Sequence, residues 1–250
     1  MYLLQNLPKR YTITEAWTSA ENSYDLHAPL ASLFDIEDVG GVKNAVFTVN
    51  EGDKYNGSSG ERAEVVLGGY SNSVLFYITG LETETEYYRF KVKLASPWER
   101  PDVNEFGYQW GMCFQVHGPN EFATSPNIAL YCEDVFGLFV FGGDVTYPTG
   151  ELIDLTSNEL VLDAWVDFVI EVKWSTTASG HVSMYRKNDG QSAFTKMGEV
   201  RNIPTLQWEA TEKAHPHYVK AGFYRSESDH TNTIRIGPIT RTTVEAVAFA

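Results

Sequence analysis

The segment HYVKAGFYRSE at residues 217–227 carries the side chains best suited to chemistry. Because alternate residues of a strand share a face, Tyr218, Lys220, Gly222 and Tyr224 would line one side. The opposite side would carry only core-type residues, Val219, Ala221 and Phe223. Two phenols and an ammonium would then face solvent, and Gly222 would leave a gap where a ligand can approach the backbone. The same pattern is also typical of an ordinary amphipathic strand.

A second candidate strand, GMCFQVH at residues 111–117, places Gln115 and His117 on one face. The two residues are about 6.7 Å apart along a strand, so one can hold a substrate group while the other acts on a nearby atom. The same alternation predicts that Cys113 shares their face. A hydrogen-bonded histidine at a strand end is the simpler alternative.

A third candidate strand, GERAEVVL at residues 60–67, pairs Arg62 with Glu64 on one face. A guanidinium held by a carboxylate of its own strand is rigid and well suited to binding a substrate carboxylate. An isolated surface ion pair of little energy is the alternative interpretation.

Strand patterns extend over most of the chain. The predicted strands cover residues 88–94, 111–117, 127–133, 136–142, 167–174, 181–187, 218–224 and 233–242. Turns are predicted at Gly40-Gly41, Asn56-Gly57, Gly68-Gly69, Gly142-Gly143 and Asp189-Gly190. Residues 12–36 could hold one short helix. Many strands without alternating helices favour a sandwich or a barrel. We predict one domain over residues 1–250, with residues 1–35 as a candidate N-terminal arm.

The composition limits the classes of partner. A formal net charge of −14 argues against nucleic acid as a ligand. It would also slow the encounter with a polyanion, although salt screening leaves room for a local basic groove. No apolar run reaches the length of a membrane span, and the first residues do not resemble a signal peptide. Cys113 and Cys132 are most simply two buried thiols. No metal or cofactor motif is present.

The three strands together resemble a known family. Jelly-roll alginate lyases carry an R-T/S-E-L strand, a Q-I/V-H strand and a Y-F-K-A-G-x-Y-x-Q strand in this order. The chain has RAEV from Arg62, QVH from Gln115 and YVKAGFY from Tyr218. Glucuronan-lyase-like and heparin-lyase-like families are similar. The resemblance covers roughly residues 55–245 and implies an all-β jelly-roll, a sandwich of two antiparallel sheets with a concave groove. Strand 218–224 should lie beside or near strand 111–117 on the concave sheet.

The resemblance implies a polysaccharide lyase that cleaves a uronate polymer by β-elimination. Arg62 and Gln115 would neutralise the uronate carboxylate, so that the C5 proton becomes acidic. His117 and Tyr224 would act as base and acid, or Tyr224 alone would do both when the two groups lie on the same side of the sugar ring. The expected substrate contacts are Glu64, Lys91, Lys93, Tyr218 and Lys220. Lys220 lies about 13 Å from Tyr224 along the strand and is therefore assigned to a subsite rather than to Tyr224.

Two departures from the alginate-lyase pattern bear on the substrate. The second arginine of R-x-E-x-R is Val66 here, and the final glutamine of the third motif is Ser226. Both point toward the glucuronan- or heparin-lyase-like branch. A non-catalytic carbohydrate-binding or phage virion surface module on the same fold is the alternative function. A hydrolase would instead need two carboxylates about 5–10 Å apart in the groove. An acidic polysaccharide as partner implies an extracellular or virion-associated protein.

Overall fold

The computed structural model describes residues 11–17, 25–67, 84–103, 107, 109–118, 126–144, 149–153, 159–208 and 217–250. Within these ranges the chain is almost entirely strand, arranged as two sheets. The helical elements are a 3-10 helix at Ala31–Leu33 and helix α1 at Glu245–Ala248. No helix in the described part of the chain is both long and apolar enough to span a bilayer.

One sheet has eight strands among the described residues, and it carries the three candidate segments. Its strands are β2 (Asp25–His27), β5 (Glu61–Leu67), β7 (Gly111–His117), β8 (Ile128–Cys132), β9 (Phe136–Asp144), β10 (Thr149–Ile153), β14 (Gln207–Trp208) and β15 (Tyr218–Arg225). The order across the sheet is β10-β9-β8-β7-β15-β5-β2, with β14 alongside β9. The predicted neighbourhood of strands 218–224 and 111–117 is confirmed, since β15 pairs with β7 on one side and β5 on the other.

The other sheet has nine strands among the described residues. They are β1 (Thr12–Glu15), β3 (Phe34–Val39), β4 (Val42–Val49), β6 (Thr85–Leu94), β11 (Val166–Lys173), β12 (Gly180–Asn188), β13 (Thr195–Ile203), β16 (Asn232–Ile236) and β17 (Ile239–Thr242). The order is β13-β12-β11-β6-β16-β4-β3, and β17 joins β1 to β6. All named strand pairs are antiparallel except β14 with β9.

The core lies between the two sheets. Even-numbered residues of β6 and residues 113, 114 and 116 of β7 meet there, with the rings of Phe90 and Phe114 stacked 4.3 Å apart between centroids. In β5 and β15 the core residues alternate with polar ones, as the period of a half-buried strand requires. β5 and β15 therefore each have one face in the core and one facing outward, and the two stacked antiparallel sheets confirm the predicted all-β sandwich.

A fully buried ion pair joins β6 to β17 inside the fold. Glu86 of β6 accepts hydrogen bonds from Arg241 of β17, from Tyr11, from Tyr88 (2.7 Å) and from the Trp174 indole (2.8 Å). Burial alone would raise the pKa of Glu86, but Arg241 and these hydrogen bonds lower it to about 2. The carboxylate is therefore charged at neutral pH, and it holds the first and last strands against β6.

Several strand boundaries differ from the prediction. Gly142-Gly143, predicted as a turn, lies inside β9, where Pro204 packs so close to Gly142 that a Cβ would clash with its carbonyl. The predicted strand 233–242 is divided at Gly237-Pro238 into β16 and β17, because proline has no N–H for the ladder. The turn at Asp189-Gly190 is confirmed as the connection between β12 and β13. Gly68-Gly69 lies outside the described residues.

The described part of residues 1–35 contacts both sheets. β1 pairs with β17, β2 pairs with β5, and Trp17 is 1 % exposed within the core. The short helix expected within residues 12–36 corresponds to the 3-10 helix at Ala31–Leu33.

The predicted orientation of Cys113 is wrong. The register between β7 and β8 shifts between Met112 and Phe114, which is a β-bulge. The bulge turns Cys113 into the core, where it is 1 % exposed beside the equally buried Cys132. Gln115 and His117 keep the outward face, with Met112 in place of Cys113.

Candidate active site

Three adjacent strands bring the predicted catalytic residues to one outward face. Across β15 and β5, Tyr224 lies opposite Arg62 and Gly222 opposite Glu64. Across β15 and β7, Lys220 lies opposite Gln115 and Tyr218 opposite His117. These positions are far apart in the sequence, and only the order β7-β15-β5 makes them neighbours.

The buried carboxylate of Glu64 is the centre of this face. Its Oε1 lies 3.2 Å from Lys220 Nζ and 3.2 Å from Arg62 Nη1, and its Oε2 accepts a 2.7 Å hydrogen bond from Gln115 Nε2. His27 Nδ1, on the neighbouring strand β2, is 4.0 Å from Oε1. Glu64 is 1 % exposed, so four side chains of different strands are held by one carboxylate.

The electrostatics of this cluster favour an anionic ligand. Burial would raise the pKa of Glu64, but the charges of Lys220 and Arg62 lower it below the usual range. Glu64 is therefore negative at neutral pH, and it balances only one of the two permanent cations that contact it. The three charged side chains Glu64, Arg62 and Lys220 together keep a formal charge of +1 although the protein carries −14. This is the local basic region that a polyanionic ligand requires.

Arg62 joins the cluster to Tyr224. The guanidinium carbon lies 3.7 Å from the centroid of the Tyr224 ring, which is a close cation–π contact. The Trp110 ring meets the same tyrosine edge to face at 4.2 Å, and Ser59 Oγ is 3.4 Å from its hydroxyl. Tyr224 is only partly buried, so its phenol is held in place and accessible at the same time.

Local backbone geometry explains the position of Tyr224. Gly222 has a φ of +143°, and a Cβ there would come 2.4 Å from the Ala63 carbonyl and from Glu64 Cα. The gap expected above Gly222 for a ligand is instead filled by β5, which is a correction to the sequence analysis. Glycine here allows β5 and β15 to approach closely, and this brings Arg62 against Tyr224.

Arg225, the residue after Tyr224, anchors the end of β15. It is fully buried and pairs with Glu61 Oε2 at 2.8 Å. The next residue, Ser226, donates to the Asp102 carbonyl at 2.7 Å and its N–H donates to the Trp110 carbonyl at 2.8 Å. The serine that replaces the glutamine of the alginate-lyase motif thus positions Trp110 against Tyr224.

His117 is placed as a neutral imidazole. Burial and the positive charge of Lys220 lower its pKa to about 4. Its Nδ1 lies 2.9 Å from the carbonyl oxygen of Gly118, and since a carbonyl only accepts, Nδ1 carries the proton. Nε2 is then the unprotonated nitrogen, which is the form of a general base. The Tyr218 ring stacks on the imidazole at 5.2 Å between centroids.

The remaining predicted residues divide into two groups. Lys220 and Tyr218 lie on the expected face but are buried, at 6 % and 4 % exposed, and Lys220 is paired with Glu64. Lys91 and Lys93 belong to β6 and point away from the core on the outer face of the other sheet. The structure therefore does not bring Lys91 and Lys93 to the candidate site. Alternation in the sequence predicts which residues share a face of a strand, but not which sheet the strand joins.

Several contributors were missed by the sequence analysis. The outward face continues over β8 and β9 with the partly exposed rings of Tyr131, Phe139 and Phe141, whose neighbouring centroids are 4.1–6.1 Å apart. Phe139 and Phe141 alternate in FGLFVFG, a signal that could have revealed this aromatic surface. His27 and Trp110 had no such signal, since only the tertiary fold places them. Among the described residues, no cluster of His, Cys, Asp and Glu has the arrangement of a metal site.

Comparison with known proteins gives the family. The family model described as "Polysaccharide lyase" matches residues 18–239. Comparison with curated protein sequences finds no significant match.

Solved structures are similar in fold at low sequence identity. An endo-β-1,4-glucuronan lyase from the fungus Trichoderma reesei superposes with a TM-score of 0.66 at 12% identity, covering 91% of this chain and 94% of its own. The PL-14 alginate lyase of Aplysia kurodai gives 0.54 at 10% identity, covering 92% and 97%. A GH131 β-glucanase catalytic domain from Podospora anserina gives 0.51 at 13% identity, covering 88% and 83%. The jelly-roll is thus shared with lyases and with a glycoside hydrolase, while the family match covers nearly the whole chain, and the protein belongs to the polysaccharide lyase family.

Proposed function

We propose that the protein cleaves a uronate-containing polysaccharide by β-elimination at the outward face of β5, β15 and β7. The observation that carries this proposal is the contact chain from buried Glu64 through Arg62 to the accessible phenol of Tyr224. A carboxylate-binding cation lies directly beside a proton donor, which is the arrangement that β-elimination next to a uronate carboxylate requires.

Arg62 and Gln115 neutralise the substrate carboxylate in this proposal. Both are held by Glu64, Arg62 at 3.2 Å and Gln115 at 2.7 Å, so little reorganisation is needed when charge develops on the enolate. Arg62 spends one donor, Nη1, on Glu64, and its side chain is 14% exposed, so part of the guanidinium is accessible from the outward face. Donors of its guanidinium fork therefore stay available for the carboxylate of a uronate.

Proton transfer falls to His117 and Tyr224. His117 is neutral at pH 7 with Nε2 unprotonated, and this suits it to remove the C5 proton. Tyr224 would protonate the leaving glycosidic oxygen. The two occupy different positions along β15, because His117 lies opposite Tyr218 and Tyr224 opposite Met112. For a substrate whose C5–H and C4–O lie on opposite faces, His117 as base and Tyr224 as acid must both reach toward one sugar, across a span that strand spacing sets at about 20 Å along β15. For a substrate whose C5–H and C4–O lie on the same face, Tyr224 would carry out both proton transfers.

Charge and aromatic surface support an acidic polysaccharide as the substrate. The positive cluster binds the uronate, and the rings of Tyr131, Phe139 and Phe141 offer an apolar surface on which neighbouring sugars can stack. The hydrolase alternative has less support. A glycoside hydrolase needs a pair of carboxyl groups, whereas the contacts of the described residues place one carboxylate, Glu64, in the cluster. Its lowered pKa also makes it a poor general acid.

The direct test is a panel of glucuronan, alginate, heparin and hyaluronan, followed by the ultraviolet absorbance of the unsaturated product. We expect absorbance to rise with at least one polymer, with glucuronan as the first candidate because of Val66 and Ser226. New reducing ends without absorbance would show hydrolysis and refute elimination. Binding of a polymer without any cleavage would favour a non-catalytic carbohydrate-binding module.

A further inference from the structure

The nine-stranded sheet forks on the side of the molecule opposite the candidate active site. β16 and β17 both pair with β6, but β16 continues to β4 whereas β17 continues to β1. Gly237-Pro238 lies at the division, where three residues of one chain segment (237–239) face two of β6 (90–91). The two branches separate here and leave a cleft over the middle of β6.

The cleft is large enough for a ligand. Its volume is about 500 Å³, within the usual range of small-molecule sites. It is lined by residues of both branches and of the β11 side, among them Thr14, Val42, Asn44, Lys91, Trp165 and Thr240. Both apolar and polar side chains line it, as expected for a site that contacts both the ring and the hydroxyls of a sugar.

The charge of the cleft identifies its ligand more closely. Arg89 and Lys187 are both committed to the buried carboxylate of Asp167, at 2.9 Å and 3.6 Å. Lys91 is exposed, and no carboxylate of the described residues forms an ion pair with it. An ammonium without an ion-pair partner among the described residues therefore lines the same cleft as the half-buried Trp165, in a protein whose net charge is −14. Charge complementarity favours an anionic ligand, and the tryptophan and threonine hydroxyls favour a sugar over a bare ion.

The geometry points to a second, non-catalytic binding site for an acidic polysaccharide in this cleft, with Lys91 pairing a uronate carboxylate and Trp165 contacting the sugar ring. The ligand class rests on the proposed function, but the site shares no residue with the active site. Two sites on opposite faces would hold the enzyme on a polymer network while the groove cleaves a neighbouring chain. Such tethering raises the local concentration of substrate without any new contact at the groove.

The test measures polymer binding with the groove weakened. Native electrophoresis in gels containing glucuronan or alginate is run on Arg62→Ala, and mobility is normalised to gels without polymer. Adding Lys91→Glu or Trp165→Ala to the Arg62→Ala variant should raise its apparent Kd for the acidic polymer at least about tenfold. Lys196→Glu makes the same charge change on β13, where Lys196 is paired with Glu199, and should leave the Kd unchanged. Lys91 is exposed, so Lys91→Glu remains decisive if Trp165→Ala fails to fold.

Four outcomes would overturn the second site. The first is that the polymer does not retard Arg62→Ala, and the second is that it retards Arg62→Ala and Arg62→Ala/Lys91→Glu equally. The third is that a neutral β-glucan retards Arg62→Ala as strongly as the acidic polymer does. The fourth is that the protein sediments as a dimer and that Lys91→Glu dissociates this dimer. The last would assign the cleft to a second copy of the chain. Cleavage of short oligosaccharides should be unaffected by Lys91→Glu in an otherwise unchanged protein. If no polymer is cleaved but the cleft still binds glucuronan, the proposed function fails while the second site stands.

Discussion

Replacing Glu64 with glutamine should damage both stability and activity, because one buried charge holds the whole cluster. Glu64→Gln keeps the shape of the side chain but removes the negative charge that lies 3.2 Å from both Lys220 and Arg62. The Lys220 side chain is 8% exposed, so its ammonium would be left buried without a counterion. Breaking a buried pair in this way costs about 3–5 kcal/mol.

A cost of this size is readily measured. For a chain of this length it corresponds to a Tm about 6–20 °C lower. Urea unfolding should show the same loss in free energy, and turnover should fall further because Arg62 loses its fixed position. Lys220→Met in the Glu64→Gln background should restore part of the stability, since it removes the unpaired charge. It should not restore turnover, because Arg62 still lacks its carboxylate.

Glu199→Gln is the matched control. Glu199 also contacts two cations, Lys196 at 2.5 Å and Arg201 at 2.8 Å, but its side chain is 34% exposed. Loss of this solvent-screened surface cluster should leave the unfolding free energy close to that of the wild type. If Glu64→Gln and Glu199→Gln differ by less than about 1 kcal/mol in unfolding free energy, the role assigned to Glu64 is refuted.

Three further predictions concern other buried groups. With His117 as base, the acidic limb of the pH profile of kcat/KM should have its midpoint near pH 4, because the imidazole stays neutral down to its lowered pKa. An acidic limb with its midpoint near pH 6.5 that is unchanged in the His117→Ala variant would contradict this. A thiol reagent at neutral pH should label neither Cys113 nor Cys132 until the protein unfolds, since both are buried and burial raises the pKa of Cys132; rapid labelling of native protein would refute that. Glu86→Gln should lower the unfolding free energy by about 3–5 kcal/mol because it removes the buried charge that pairs with Arg241, with KM of the folded enzyme unchanged; a stability equal to wild type would contradict it.

The alternation of residues within strands was predictable from the sequence wherever the strand was regular. β5 and β15 place Arg62, Glu64, Lys220 and Tyr224 outward, as their spacing requires. Alternation fails at irregularities, and the bulge beside Cys113 reversed its face because nothing in GMCFQVH marks an extra residue.

Long-range placement could not be read from the sequence. Lys91 and Lys93 show the same alternation as the site strands, yet β6 joins the other sheet. Spacing along β15 predicted that Lys220 is too far from Tyr224 to act on its phenol. The cation that does lie beside this phenol is Arg62, which comes from the neighbouring strand β5. His27 also reaches Glu64 across strands. Contacts of this kind depend on strand order, which local patterns do not encode.

The most direct test of the account is the rate of unsaturated-product formation by Tyr224→Phe on the polymer that the wild type cleaves. The substitution removes only the hydroxyl beside Ser59, and the ring can keep its contacts with Arg62 and Trp110. A general acid contributes about 10²–10⁴-fold, so kcat should fall at least about a hundredfold while KM and the unfolding free energy stay close to wild type. Tyr218→Phe, opposite His117, should cost far less. Equal rates for wild type and Tyr224→Phe would remove Tyr224 from the mechanism and contradict the proposed site.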